Sequence, residues 1–365
     1  MNICFLTSLY MPFMEGAEIF LDRLVRDLQY RGHQVVVIAA RRRGEKEKLD
    51  YPFVRGFRHR SKRYFLAANL PILLWAHRKH HFNIIHCHGE YQPAITAYYF
   101  NKITKVPYVC RATGGAFSSV HAYPKLQRKL AKGLSRASLL IAQGDFLKQR
   151  ILEKNVNKEK IIVINNGVRI SEITACKNIS PCIEPPYILH VGGLRKVKAY
   201  DIAILSFEKI AQKFSQLKLV IAGCDQEKKH FDQLIKEKKL IDRIIYLGNK
   251  NRKEIASLFC HAELYLSPFR KAPFSNANLE AMASGIPIVA TAIEGNLEQI
   301  RDGIEGFLVP IDDVDLISEK MCLLIENRDL RKKMGENARQ RSQFYSWEKM
   351  VDKYENCYRR IVSAF

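Results

Sequence analysis

A regular alternation of strand and helix runs from the amino terminus, stops near Pro185-Pro186 and then begins again. Asn2 to Thr7, Gln34 to Ala39, Asn83 to Cys87 and Tyr108 to Cys110 are short apolar runs that read as strands, and Ala17 to Tyr30 repeats its apolar residues at helical spacing. After the prolines, strands are expected at Tyr187 to Val191, Leu217 to Ala222, Arg243 to Leu247 and Leu264 to Ser267. Helices are expected between them at 201–213, 228–237 and 253–259. A strand followed by a helix followed by a strand forces parallel pairing, because the crossover returns the chain to the same edge. The chain is therefore expected to be α/β, with two doubly wound parallel sheets: a first domain at 1–168, a linker at 169–186 and a second domain at 187–345.

The most specific segment is Ser267 to Thr291, SPFRKAPFSNANLEAMASGIPIVAT. Ser275 or Asn276 can cap a helix, Gly285 can end it, and Ile286 to Thr291 reads as the next strand. The first turn of a helix leaves backbone N–H groups unpaired and carries partial positive charge, so Asn276 and Ala277 are candidates to hold a diphosphate. Glu280 lies about one turn further along the same face, where its carboxylate can accept hydrogen bonds from ribose hydroxyls. A sugar nucleotide fits that spacing.

Composition narrows the class. With 365 residues and 47% hydrophobic content, the chain can fill two cores. Its longest apolar stretch, Leu66 to Ala76, is well short of the roughly 20 residues needed to span a bilayer. The opening segment reads as a strand rather than a leader, so a cytoplasmic protein is expected. The 9 cysteines are scattered without a C-x-x-C pair, which points to free thiols, Cys176 and Cys182 included, and to no metal site.

Charge is concentrated in the first half: residues 1–170 carry 29 Lys+Arg against 11 Asp+Glu, most of the net +22. Arg58, Arg60, Lys62 and Arg63 stand beside Phe57, Tyr64, Phe65 and Trp75, a mixture that attracts an anionic bilayer surface. Plain solvated charge is the alternative. No nucleic-acid-binding pattern accompanies the charge, so nucleic acid is not expected as a partner.

Glu280 through Thr291, EAMASGIPIVAT, resembles the donor-binding motif of the family 4 glycosyltransferases, whose GT-B architecture sets two Rossmann-like domains across a central cleft. Phe274-Ser275-Asn276 keeps a common form of the motif's middle, whereas Ala272 occupies the position of its first glutamate, which in the family touches the donor sugar. Further segments follow in the family's order. Glu15-Gly16-Ala17-Glu18 stands where relatives carry Gly-Gly-x-Glu, and Gly16 would let the backbone approach the diphosphate. Arg31 to Val35 matches the Gly-His-x-Val turn, and Asn166-Gly167-Val168 matches the crossing into the second domain. Val191 to Lys198, VGGLRKVK, occupies the site of Gly-Arg-Leu-x-x-x-Lys: Lys198 matches the lysine, Gly193 replaces the arginine, and Arg195 is a candidate substitute. Breaking a sugar–phosphate bond leaves a nucleoside diphosphate, so cations at Lys198 and Arg195 suit the chemistry.

The resemblance also implies that Asn249 and Lys250, in Leu247 to Lys250, recognise the base through the backbone. Such contacts leave no residue-type trace of the base, and a UDP-sugar is the leading expectation. Thr113 stands where many relatives have histidine. His86 and His88, at the end of a strand, are candidates on the acceptor side. Gly303 to Pro310 matches a further segment, and a last helix at 346–365 is expected to pack back on the first domain. The implied reaction transfers a sugar from a nucleotide-sugar to a glycan or lipid-linked acceptor, with retention and without cofactor or metal. It proceeds by front-face attack assisted by the departing phosphate. The alternative is a non-catalytic GT-B protein that binds a nucleotide sugar or anionic glycan as a scaffold, a reading motivated by Ala272, Gly193 and Thr113.

Overall fold

A computed structural model describes the chain except residues 9, 11–15, 41–50, 57–64, 90–91, 114–123, 155, 177–179 and 273; side chains at 40, 53–56, 65–68 and 124–126 are also left undescribed. The chain divides into two compact units, Met1–Asn166 with Lys349–Phe365, and Gly167–Glu348.

The first unit is a parallel sheet with helical crossovers. Its elements are β1 (Asn2–Thr7), α1 (Gly16–Tyr30), β2 (Gln34–Ala40), β3 (Phe53–Gly56), α2 (Phe65–His80), β4 (Ile84–His88), α3 (Gln92–Thr104), β5 (Tyr108–Arg111), α4 (Pro124–Arg136), β6 (Leu139–Ala142), α5 (Asp145–Leu152) and β7 (Ile161–Val163). The strands lie in the order β3-β2-β1-β4-β5-β6-β7, so the winding reverses between β1 and β4. β1, β4 and β5 are buried almost throughout, and apart from Asn2, His86 and the residues at their carboxyl ends they are apolar on both faces. Gly133 lets α4 press onto α3: a Cβ there would sit 3.1 Å from the Ala94 carbonyl oxygen.

The second unit contains α6 (Ile170–Ala175), β8 (Tyr187–Val191), α7 (Tyr200–Ala211), β9 (Lys218–Ala222), α8 (Lys228–Glu237), β10 (Ile244–Tyr246), α9 (Arg252–His261), β11 (Leu264–Ser267), α10 (Asn276–Ser284), β12 (Ile288–Thr291), α11 (Glu294–Gln299), β13 (Gly306–Val309), α12 (Val314–Glu326) and α13 (Arg328–Ser342). The order β10-β9-β8-β11-β12-β13 reverses between β8 and β11. A last helix, α14 (Trp347–Val362), starts in this unit and continues into the first.

The expected linker at 169–186 is corrected by α6. Ile173 and Cys176 are spaced to face one way, are buried, and join the core of the second unit beside Tyr187 and Leu258. The first crossing between units falls at Asn166-Gly167 instead. Gly167 is required there, because a Cβ would lie 2.6 Å from the Trp347 Cα. All nine cysteines are free; Cys176 caps α6 and Cys182 is exposed. Arg58, Arg60, Lys62 and Arg63 lie outside the described residues.

Candidate functional site

In the second unit, α10 opens directly after the loop that leaves β11. Ser275 is its N-cap, accepting from the Asn278 N–H at 3.3 Å, and Gly285 ends it at φ +77°. A buried amide network fixes this end. The Gln299 amide donates to the Ser275 carbonyl at 2.8 Å, and Gln299 Oε1 accepts from the Ser275 N–H at 3.2 Å and from Asn278 Nδ2 at 3.0 Å. Asn278 also donates to Asn296, which donates to the Thr291 carbonyl, each at 2.8 Å. These buried groups hold one another, so the α10 N-terminus is set by folding rather than by a ligand. Asn276 and Ala277 remain partly exposed there. Glu280, also partly exposed, lies near Tyr265 of β11, whose hydroxyl is raised first by burial and further by that carboxylate.

The loop after β8 carries the candidate cations. Gly193 sits at φ +71°, and a Cβ on it would fall 2.4 Å from the Cys224 nitrogen; a Cβ on Gly223 would likewise meet the Gly193 nitrogen at 2.4 Å. The two loop backbones touch, so no arginine side chain can begin at 193 without moving one of them. Beyond it, a short 3₁₀ turn at Lys196–Lys198 closes with the Lys198 N–H donating to the Arg195 carbonyl at 2.8 Å. The Lys198 side chain runs over Gly192, and its Nζ lies 4.0 Å from the centre of the Phe269 ring. Arg195 is partly exposed in the same loop.

Sequence reasoning missed the residue that holds this turn. Arg270 donates through Nη1 to the Lys196 carbonyl at 2.6 Å, and its own N–H bonds the Val197 carbonyl at 3.1 Å. The guanidinium also grips Asp201, from Nη1 at 3.0 Å and Nη2 at 2.8 Å, and reaches Asp312 from Nε at 2.8 Å. Its only signal in the sequence is its place between Phe269 and Ala272, inside the segment singled out above. Ala272 itself is buried with Phe269 and Ile293, an apolar cluster where an acidic residue was the family expectation. His190 of β8 is buried edge-on to Phe269 and lowered to about 4, by burial first and by Lys198 in addition.

Lys198 follows β8 and α10 follows β11, the two strands between which the winding of this sheet reverses. Such a reversal opens a crevice at the carboxyl ends of the strands, and the cation and the helix N-terminus flank it. Along the same edge Gly248, at φ +65°, accepts from the Gly223 N–H at 2.8 Å. The adjoining Asn249 is exposed, and Lys250 pairs with Glu254 at 3.0 Å.

In the first unit the two histidines separate. His86 is fully buried: its Nδ1 lies 2.6 Å from the Tyr358 hydroxyl and its ring packs on Phe5. That position makes it a brace for α14 rather than a group facing an acceptor. His88, one β-repeat further, is the last residue of β4 and 6% exposed. Burial lowers both imidazoles well below their ordinary value, and Arg111 lowers them further. Gly16 starts α1, and Thr113 is partly exposed two residues beyond Arg111. Among the described residues no group of His, Cys, Asp and Glu forms a metal-binding cluster.

Two family models match the chain in succession, Glycosyltransferase Family 4 over residues 14–172 and Glycosyl transferases group 1 over residues 179–341. N-acetyl-alpha-D-glucosaminyl L-malate synthase of Bacillus anthracis is 26% identical, across 96% of this chain and 95% of its own. The capsular polysaccharide biosynthesis glycosyltransferase CapM of Staphylococcus aureus is 25% identical, across 60% of this chain and 61% of its own. Among solved structures, sucrose-phosphate synthase from Thermosynechococcus elongatus matches with a TM-score of 0.83 at 17% identity, covering 100% of both chains. Anabaena HepE in complex with UDP-glucose matches at 0.80 and 19% identity, again covering 100% of both. These likenesses show the fold, which is GT-B.

Proposed function

This chain belongs to the glycosyl transferases of group 1, glycosyltransferase family 4, and from that premise we propose that it moves a sugar from a nucleotide-sugar to a glycan or lipid-linked acceptor. The observation that carries the reading is the pairing of Lys198 with the N-terminus of α10 at one strand reversal. Asn276 and Ala277 hold the diphosphate through backbone amides, Glu280 accepts from the ribose, and the edge at Asn249 and Lys250 meets the base. A UDP-sugar is the proposed donor, supported by the UDP-glucose complex of HepE.

The bond from the sugar C1 to the phosphate oxygen breaks as the acceptor oxygen bonds to C1, and the acceptor proton passes to the departing phosphate. Negative charge grows on the diphosphate during that step. Lys198 and the α10 amides stabilise it most in the transition state, with Arg195 a further cation. Attack from the face the leaving group departs retains configuration. This mechanism assigns no step to a metal or cofactor.

The acceptor belongs to the first unit in this reading, and an anionic membrane face is its proposed setting. Arg58, Arg60, Lys62 and Arg63 are the basic group that sequence singles out for it. The described part of that unit adds support: α2, α3 and α4 pack side by side and contain no acidic residue. They expose Trp75 and Ile103 among Arg78, Lys79, Lys102, Arg128, Lys129 and Lys132. Among the described residues no helix is long and apolar enough to cross a membrane, so attachment would be peripheral and, in this reading, cytoplasmic.

Incubation with a panel of nucleotide-sugars, scored for slow hydrolysis without acceptor, tests the donor reading. Turnover of one donor identifies it, whereas binding without turnover of any, with or without candidate acceptors, would support the scaffold reading. Sedimentation with anionic and neutral vesicles tests the membrane setting: the protein should pellet with the former alone, and less so as salt rises.

A further inference from the structure

The turn at Lys196–Lys198 follows β8, and it is gripped from loops that leave the two strands flanking β8 in the sheet, β9 and β11. From the β11 side, Arg270 donates to the Lys196 carbonyl. From the β9 side, the Cys224 carbonyl accepts from the Leu194 N–H at 2.7 Å, and the Glu227 N–H donates to the Leu194 carbonyl at 3.0 Å, so backbone bonds fix the chain as far as Leu194. Beyond that residue a side chain takes over: Glu227 Oε1 accepts from the Lys196 N–H at 3.0 Å.

Lys196 is thus held by both polar groups of its backbone. Its N–H opens the 3₁₀ turn and has no acceptor within it, so the carboxylate does for the turn what a cap does for a helix. At the other end Ala199 is fully buried in the left-handed conformation, at φ +53° and ψ +42°. A residue with a Cβ adopts that conformation at a cost, and it persists where surrounding contacts over-determine it.

Glu227 is the N-cap of α8, yet its side chain makes no capping bond to that helix. Instead Oε2 accepts from the Tyr200 hydroxyl at 2.9 Å, and the Tyr200 oxygen lies 2.7 Å from His230 Nδ1. A phenol has one proton to give. With that proton on the carboxylate, the imidazole must donate to the phenol oxygen, which orders the three groups from exposed His230 through Tyr200 to Glu227. Burial first, and Glu227 next, push the Tyr200 hydroxyl above its ordinary value, so it stays a donor. The Tyr200 ring is fully buried and tilts against Phe231 of α8, which fixes where the hydroxyl lies.

We infer that Glu227 is a positioning residue for sugar transfer, acting through the Lys196 N–H on the turn that presents Lys198, with Tyr200 and His230 aiming its carboxylate. That role rests on the one proposed above for Lys198, whereas the hold on the turn does not.

Hydrogen exchange at the Lys196 amide of the whole chain, followed by NMR, reads the hold without any turnover. Glu227→Ala should speed that exchange by about tenfold or more and Tyr200→Phe by less, while the amides of β8 and β9 keep the parent's protection. Turnover of the donor picked out by the nucleotide-sugar panel reads the positioning. Glu227→Ala should lower kcat by about tenfold with KM within about twofold, and Glu227→Gln, which keeps an acceptor for the Lys196 N–H, should recover most of the loss. Added to Lys198→Ala, Glu227→Ala should cost little more than Lys198→Ala alone, because it acts through that lysine. A loss that persists in full in the double variant would mean a general structural role. That result, parent kcat in a folded Glu227→Ala chain, or an unchanged Lys196 amide would overturn the inference. If Glu227→Ala fails to fold, Tyr200→Phe, expected to show the same pattern at a fewfold, decides. Parent turnover in Lys198→Ala would instead count against the proposed function and leave the exchange result to judge the hold.

Discussion

Arg270 holds Asp201 through both terminal nitrogens while its Nη1 also bonds the Lys196 carbonyl, so one guanidinium ties the start of α7 to the turn that presents Lys198. Arg270→Ala should therefore lower kcat while leaving KM within a fewfold, because the turn loosens without losing a donor contact. Charged hydrogen bonds are worth about 1.5–3 kcal/mol, so a drop of roughly ten- to a hundredfold is expected. Arg270→Lys, which cannot form the same fork, should rescue little. An unchanged kcat in a folded variant would separate the turn from catalysis.

Lys198→Ala should cut kcat by about a hundredfold or more with a much smaller change in donor affinity, as expected for a cation needed most when leaving-group charge develops. Single-turnover kinetics with a saturating donor measures this directly. Equal losses in binding and turnover would make Lys198 a ground-state anchor instead.

Glu280→Ala should weaken nucleoside diphosphate binding by roughly 1.5–3 kcal/mol, the value of a hydrogen bond to a charged acceptor. Calorimetry with UDP reads it, and affinity equal to the parent in a folded variant would remove Glu280 from the site. Glu280→Gln should lie between the two.

Gly193→Arg supplies the arginine expected from the resemblance to the family motif, yet it should destabilise rather than activate. The left-handed backbone and the 2.4 Å approach to Cys224 leave no room for a Cβ, and the expected loss is about 4 kcal/mol or more. Thermal unfolding compared with Arg195→Gly, which should leave stability nearly unchanged, separates backbone strain from charge.

Stability should fall with acid between about pH 6.5 and 4, in part through His190. Its folded value is lowered from 6.5 to about 4, so across that window the unfolded chain binds the extra proton and folding is opposed. Above pH 6.5 the contribution is fully present. His190→Gln should remove on the order of 3 kcal/mol of this dependence at most, read by urea unfolding at pH 7 and pH 5. His86 and His88 act in the same direction. A variant with the parent's full pH slope would exclude His190 as the source.

Local signals carried much of the fold. β1, β8, α8 and β11 are legible in their apolar periods, and α10 in its cap and Gly285, because each depends on neighbours within a turn or two. Other parts depend on partners distant in sequence. His86 and His88 look alike two residues apart, and what separates them is Tyr358, brought to His86 from the far end of the chain. The Asn278–Asn296–Gln299 network and the Arg270–Asp201 fork leave no periodic trace, since amide and ion pairing can join any two loops that folding brings together. α6 was misread for a different reason. Its polar Ser171, Glu172 and Thr174 dilute a buried stripe too short to register as a period.

The first unit is discontinuous, and this sets an order of assembly. Tyr354 and Tyr358, which bond Arg111 and His86, emerge from the ribosome after the whole second unit. A nascent chain ending at residue 166 holds seven strands' worth of sequence but leaves a buried guanidinium and a buried imidazole each short of a bond. The second unit, by contrast, has its entire core once residue 348 is made. Translation from the amino terminus should therefore finish the later-encoded unit first, and loss of the last 17 residues should damage the unit encoded at the opposite end of the gene.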